Sequence, residues 1–447
     1  MVTPKKPHVA IFAFPFGGHA APLLSLSRQL ATNAADASFS FFCTPKSNGF
    51  LSSIATASGP LPNLKFYDVS DGLLGNLPEE VELFMKATPG NFANALEGVV
   101  KEMGEVTCLL TDSFLWFAGH MAEERDVPWV TFWVSGARSL AAHFYTELFR
   151  KKIGTGPDVL ATRHEEPLDF VPGFFVLRVG DLPEGVVFGD LDSFFPRLLH
   201  RMGEESARAT AVVLKTFDGL DSTILTDLRS KFRSCLAVGP LNLISPLLSE
   251  DSHACLTWLD RFAHNPASIA YVGFGTVMRL TPAQVAALAE GLESSGVPFI
   301  WSLKAREGLP AGFLEQTAGR GLVVPWAPQS MVLGHVAVGV HVTHGGWNSV
   351  MESIAGTVPM ICYPTLADQK LNTRLVSHAW RIGVEVDGGV LTRDGVVRSI
   401  ELVLRKDEGR VMRERACKLR ELGKESVENG SSVENFTKLL GILVPGG

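Results

Sequence analysis

No apolar run in this 447-residue chain reaches the ~18–20 residues that a membrane-spanning helix needs, so no span is expected. The start lacks targeting features as well. Met1–Lys6 is polar and leads straight into an apolar stretch, without the three-part pattern of a secretory signal. Cysteine is sparse and scattered: the six, at positions 43, 108, 235, 255, 362 and 417, include no Cys-x-x-Cys pair. That argues against a zinc site and a disulfide framework, and fits reduced thiols in the cytoplasm. Positive charge is not in excess. Forty Lys and Arg against 47 Asp and Glu give a net charge of −7 and a pI near 6.0. Nucleic-acid or anionic-membrane binding is therefore not the main task. There is no Walker motif, and Gly273-Phe-Gly275 lacks the third glycine of the dinucleotide fingerprint. What remains is an ordinary globular composition, 46% hydrophobic and 19% charged, long enough for two domains of about 150–250 residues.

Along the chain, short apolar runs of strand type alternate with helical periods. His8–Phe14 is followed by the turn Pro15-Phe-Gly-Gly, and His19 opens a helix over Ala21–Ala31 with Leu23, Leu24, Leu26 and Leu30 as its apolar positions. Further strands are expected at Phe39–Cys43, Leu64–Asp68, Val106–Thr111, Trp129–Trp133, Val212–Leu214 and Cys235–Val238. Residues 155–200 are irregular, rich in Pro, Gly and Phe, and read as an excursion of loop and helix. The alternation restarts at Ile269–Phe274 and continues through Phe299–Ser302, Leu322–Val324, Gly339–Thr343 and Met360–Cys362. Thr281-Pro282 caps a helix carrying Val285, Leu288, Ala289 and Leu292, and Ser431-x-x-Glu434 has the capping-box pattern before a last helix. The boundaries read as 1–240 for a first domain, 241–252 for a linker, 253–430 for a second domain and 431–447 for a tail helix. Parallel sheets of this kind bind ligands at the carboxyl ends of their strands. His19 and Asp112 each follow a strand directly.

The richest stretch runs from Trp326 to Gln369. Its strand, glycine turn (His344-Gly-Gly-Trp-Asn-Ser) and helix (Val350–Ala355) make a corner whose helix start favours phosphate. Trp326 offers a flat face for a base and Glu352 an acceptor for a ribose. Asp368 and Gln369 form a polar pair that can grip sugar hydroxyls. Base, ribose, phosphate and sugar together describe a nucleotide sugar. Taken singly, each residue has a plainer reading: a tryptophan or a histidine such as His143 in Leu140–Tyr145 is more often core. Asp190-Leu-Asp192 satisfies the DxD pattern of metal-dependent transferases, but it lies in the irregular region and reads as surface acid.

These 44 positions resemble the signature box of plant secondary-product glycosyltransferases, the family 1 UDP-glycosyltransferases. The likeness extends over essentially the whole chain. Phe-Ala-Phe-Pro-Phe-Gly-Gly-His at 12–19, Asp-Ser-Phe-Leu-Trp-Phe at 112–117 and His-Arg-Met-Gly at 200–203 are similar to flavonoid and anthocyanidin 3-O-glucosyltransferases. The resemblance implies the GT-B fold, two facing Rossmann-like α/β domains with parallel sheets, and a C-terminal helix crossing back to the first domain. It implies His19 as the catalytic base, oriented by Asp112. For the donor it implies Trp326 and Ala327 with Gln329 and Glu352 at the base and ribose. Thr276, His344, Asn348 and Ser349 then fall at the phosphates, and Trp347, Asp368 and Gln369 at the sugar. Gly17, Phe16, Phe114 and His143 fall at the acceptor. No metal and no cofactor are implied, the UDP-sugar being a co-substrate.

Three positions depart from the family pattern. Gly345 replaces the usual Cys and is expected to loosen its turn. Ala367 replaces a Gly. Val134 stands where relatives often have a Thr near the sugar's 6-hydroxyl. In the family, Gln at position 369 tends to accompany glucose. The expectation is therefore an inverting, metal-independent transfer of glucose from UDP-glucose to the 3-hydroxyl of a flavonoid, by a cytoplasmic monomer. Alternatives are galactose or a pentose as the sugar, and another phenolic or terpenoid acceptor. From other classes come a GT-B sugar-nucleotide epimerase and a non-catalytic ligand binder.

Overall fold

A computed structural model describes residues 6–71, 79–244 and 250–445. Two compact units account for the chain. One comprises 1–162, 184–248 and 423–447, the other 163–183 and 249–422.

The first unit holds a seven-stranded sheet made of β1 (His8–Phe12), β2 (Ser38–Cys43), β3 (Leu64–Asp68), β4 (Cys108–Asp112), β5 (Trp129–Trp133), β6 (Ala211–Leu214) and β7 (Cys235–Ala237). Its order is β3-β2-β1-β4-β5-β6-β7 and every pair is parallel. The central strands are buried along their whole length, as expected of strands covered on both faces. Val9 and Ile11 pack with Leu23, Leu24, Leu26 and Leu30 of α1 (Ala20–Asn33). The order reverses between β1 and β4, so the crevice at their carboxyl ends is where such a sheet takes a ligand.

The second unit repeats the plan with β8 (Ile269–Gly273), β9 (Phe299–Ser302), β10 (Gly321–Val324), β11 (Val338–Thr343), β12 (Met360–Cys362) and β13 (Gly383–Glu385). The order is β10-β9-β8-β11-β12-β13, again all parallel. Its reversal falls between β8 and β11. The strand β13 escaped the sequence reading because it is an edge strand, Gly-Val-Glu, with only its glycine fully buried and no apolar run.

Of the two expected caps, one forms and one does not. Thr281 forms the full capping box with Gln284, and Pro282 takes the first helical position. Ser431 forms none. The last helix begins at Ser431 itself, with Gly430 as its N-cap and no side-chain cap. The neighbouring hydroxyl does another job: Ser432 Oγ donates to the Gly239 carbonyl at 2.7 Å, and Asn435 Nδ2 donates to Ala237 O at 2.9 Å. These bonds tie the helix to the end of β7, while Leu439 and Leu443 enter the first unit's core. Tertiary contacts displaced the local cap. The expected linker is partly helical, Leu241–Ile244 forming one turn in the first unit; 245–249 lie outside the described residues.

Candidate functional site

At the reversal point of the first sheet, the turn after β1 ends at His19, which is the N-cap of α1, and β4 ends at Asp112. His19 Nδ1 lies 2.9 Å from Asp112 Oδ2. A carboxylate only accepts, so Nδ1 carries the hydrogen, and the neutral ring keeps a lone pair on Nε2. Asp112 is fully buried, and its other oxygen accepts from Phe114 N at 2.9 Å, capping the 3₁₀ turn Ser113–Leu115. The His19 side chain stays 18% exposed, enough to meet a substrate. Rings enclose it. Phe14 and Phe114 stand edge-on at 5.0 and 4.6 Å, and Phe14 also touches Phe16 at 5.2 Å. Phe84 closes on Phe16 at 5.2 Å. Sequence reasoning named Phe16 and Phe114 but missed Phe14 and Phe84. Phe14 belongs to the Phe-Ala-Phe-Pro-Phe run and was legible there. Phe84 lies on a helix, α2 (Glu79–Met103), with no local signal pointing at His19.

His143 is not one of these rings. It lies near the end of α3 (Ala137–Phe144), buried, with its ring tilted against Trp133 at 5.9 Å. Burial, helped by His200, pushes its pKa down to about 4. Its ring makes no contact with the rings around His19 among the described residues. Gly17 adopts φ +61° in the turn before His19. Val134, just past β5, packs on the first unit's core.

At the reversal point of the second sheet, β8 leads into Phe274-Gly-Thr276 and β11 into His344. The next helix, α4 (Trp347–Gly356), starts three residues earlier than expected. Trp347, Asn348 and Ser349 therefore occupy its first turn, where amides point along the axis and the dipole is positive. Burial pushes the His344 pKa down to about 4. Thr276 is exposed, its carbonyl accepting from Lys304 Nζ at 3.2 Å. Half-buried Trp326 and buried Ala327 precede Gln329. Gln329 Nε2 donates to Ser349 Oγ at 3.0 Å and to Glu352 Oε2 at 2.6 Å, while its Oε1 accepts from the buried Tyr271 hydroxyl at 3.1 Å. Ser330 Oγ holds the other Glu352 oxygen at 2.5 Å. Gln329 thus orients Glu352. Tyr271 and Ser330, both missed from sequence, complete the network.

Gln369 Oε1 accepts from Thr365 N at 3.0 Å and Leu366 N at 3.2 Å, so the carbonyl end braces its own loop and the NH₂ end is left to donate. Asp368 is half-buried beside it. Ala367 takes φ +54°, the left-handed region that a glycine fills without strain. Gly345 takes φ +77°, and its turn is not loose: Gly345 N donates to Thr343 Oγ1 and Asn372 Nδ2 donates to Gly345 O. Asp190 and Asp192 are both exposed, and the described residues hold no cluster of three metal-ligating side chains. No described helix is long and apolar enough to cross a membrane.

Known proteins resemble this chain throughout. The family model described as UDP-glucoronosyl and UDP-glucosyl transferase matches residues 78–426. A flavonol 3-O-glucosyltransferase of Arabidopsis thaliana is 47% identical, over 99% of each chain. A flavonol-3-O-rhamnosyltransferase of the same plant is 46% identical, over 98% of this chain and 97% of its own. The crystal structure of a UDP-glucose: anthocyanidin 3-O-glucosyltransferase in complex with UDP superposes with a TM-score of 0.90 at 40% identity, covering 98% of this chain and 99% of that one.

Proposed function

Since the chain belongs to the UDP-glucoronosyl and UDP-glucosyl transferase family, we propose that it transfers glucose from UDP-glucose to the 3-hydroxyl of a flavonoid. It is a glycosyltransferase of the GT-B fold. The observation that carries the reading is the His19–Asp112 pair at the first sheet's reversal point, ringed by phenylalanines that suit a flat aromatic acceptor. His19 Nε2 takes the proton of the acceptor hydroxyl. The hydroxyl oxygen attacks C1 of the sugar as the bond from C1 to the diphosphate oxygen breaks. One displacement inverts C1. Asp112 stays ionised and stabilises the imidazolium that forms. General-base help of this kind is worth about 10²–10⁴ in rate.

On the donor side, the reading gives Trp326 and Ala327 the uracil, Glu352 the ribose, and His344, Thr276 and the first turn of α4 the departing diphosphate. Trp347, Asp368 and the NH₂ of Gln369 face the sugar. Charge on the leaving group is met by these groups, without a metal. Gly17, Phe16, Phe114 and His143 serve the acceptor. We place the enzyme in the cytoplasm, where its five buried free thiols suit a reducing compartment, and take it to act as a monomer.

A second donor has a specific observation behind it. Val134 and Ala367 stand where the family pattern has a Thr and a Gly, and a relative named for rhamnosyl transfer is as similar as the glucosyl ones. The test is a screen of UDP-glucose, UDP-galactose, UDP-xylose and UDP-rhamnose against a flavonol, an anthocyanidin and a simple phenol, with products read by mass. A flavonoid 3-O-glucoside supports the reading. A deoxyhexoside or pentoside in place of the glucoside overturns the donor, and turnover of UDP-sugar without acceptor overturns the transfer itself.

A further inference from the structure

We propose that a groove on the first unit, separate from the ring cluster at His19, binds a one-ring aromatic carboxylate. The groove encloses about 230 Å³. Pockets for drug-sized ligands run to ~300–1,000 Å³, so this one suits a single ring and not a three-ring flavonoid. Met85 and Leu198, both buried, line it together with Trp116 and Phe194. Phe194, Arg197, Leu198 and Arg201 recur at helical spacing along α5 (Phe194–Ser206), so they share one face. Across from them on α2, Met85 and Lys86 follow Phe84. Phe84 turns its ring to Phe14 and Phe16, and the next two positions lie about 100° and 200° further round the helix. The groove and the His19 cluster therefore use different sides of α2.

Three cations border the groove in a chain whose net charge is −7. Two are engaged. Lys86 pairs with Glu82 at 2.7 Å, and Arg201 pairs with Glu205 at 2.6 Å, which holds its guanidinium 5.4 Å from the centroid of the Trp116 ring. The exposed Arg197 side chain, one turn before Arg201, has no ion pair or hydrogen bond among the described residues. Trp116 contributes its ring as a wall of the groove, under the Arg201 guanidinium. Apolar and aromatic walls ask for a ring. The exposed, unpaired Arg197 guanidinium asks for a carboxylate. Trp116 also directly follows the Ser113–Leu115 turn that Asp112 caps, so the ligand rests on the element that holds the partner of His19.

The test is isothermal titration of the full chain with cinnamate, which has no phenolic hydroxyl to act as acceptor, and with neutral cinnamyl alcohol. Cinnamate is expected to bind about tenfold tighter than the alcohol, the worth of one charge-assisted hydrogen bond. Arg197→Met, a surface change that leaves the fold and flavonoid turnover intact, is expected to weaken cinnamate about tenfold. Phe16→Ala, in the ring cluster at His19, should leave it unchanged. The proposal is overturned if millimolar cinnamate gives no heat, if the alcohol binds equally well, or if Arg197→Met leaves affinity at the wild-type level. It is also overturned if Phe16→Ala abolishes binding, which would place cinnamate in the acceptor site.

Discussion

At the scale of single residues, His19 and Ala367 make opposite demands. His19 needs one nitrogen bonded and one open, and Asp112 supplies that asymmetry at 2.9 Å. His19→Ala is expected to lower kcat for flavonoid glucosylation by about 10²–10⁴. Asp112→Asn should cost nearly as much, because an amide can hold the wrong tautomer. Near-normal turnover in His19→Ala, measured by UDP release, would sink the mechanism. Ala367 is a residue out of its preferred conformation at φ +54°. A left-handed residue costs about 1–2 kcal/mol and glycine's extra freedom about 0.5–1, so Ala367→Gly should raise stability by roughly 0.5–1 kcal/mol. Gly345→Ala should do the reverse by about 1 kcal/mol or more, since the added methyl meets Thr373 Oγ1 at 2.8 Å. Urea midpoints of the pair decide both; shifts in the same direction would refute the backbone argument.

At the scale of elements, two contacts set where the helices lie. The first is α5 on α3. A Cβ at Gly203 would stand 2.5 Å from the His143 carbonyl, so only glycine lets α5 approach this closely. Gly203→Ala should destabilise the first unit by about 1–3 kcal/mol, seen as a lower melting temperature. That is the physical content of the His-Arg-Met-Gly motif. The second is the turn Val179–Asp181 on α6 (Gln369–Arg374). Asp181 Oδ2 accepts from Arg178 N at 2.8 Å and from Arg374 Nε at 3.0 Å, inside the second unit. Arg374 ends the helix that Gln369 begins. Charged hydrogen bonds of this kind are worth about 1.5–3 kcal/mol. Asp181→Ala should therefore speed proteolysis between 163 and 183 and raise KM for UDP-glucose several-fold with kcat little changed. An unchanged KM with an unchanged cleavage pattern would show that the contact does not position α6.

At the scale of the whole molecule, the buried histidines govern acid stability. Burial drives His143 and His344 down to about 4 and His341 to about 3, from an ordinary 6.5. Below pH 6.5 the unfolded chain binds protons that these folded rings refuse. The stability they contribute is intact above pH 6.5 and is lost as pH falls toward 4. Each should cost about 1–2 kcal/mol between pH 7 and 5. Urea midpoints at the two pH values test this, and a flat profile would contradict it. Two of the three rings lie in the second unit and one in the first, so the second unit's transition should move further.

Much of this was legible in the chain itself. Buried parallel strands need long β-branched and aromatic runs, and such runs survive as pattern. The strands were accordingly placed to within a residue or two, with only the three-residue β13 missed. His19, Asp112, His344 and Gln369 each stand directly after a strand or its turn, where any parallel α/β sheet exposes its ligands, so the local order sufficed to single them out. Tertiary structure alone decided the rest. Phe84 reaches the His19 cluster from a helix that no spacing rule connects to it. Tyr271 and Ser330 matter only because Gln329 and Glu352 fold between them. Ser431 lost its cap because Ser432 and Asn435 found better partners on β7, and the groove at Trp116 exists only once α2, α5 and the Asp112 turn are packed together. Sequence encodes what repeats along one element; which side chains from distant elements share a few ångströms is set by packing, and that is known only once the chain has folded.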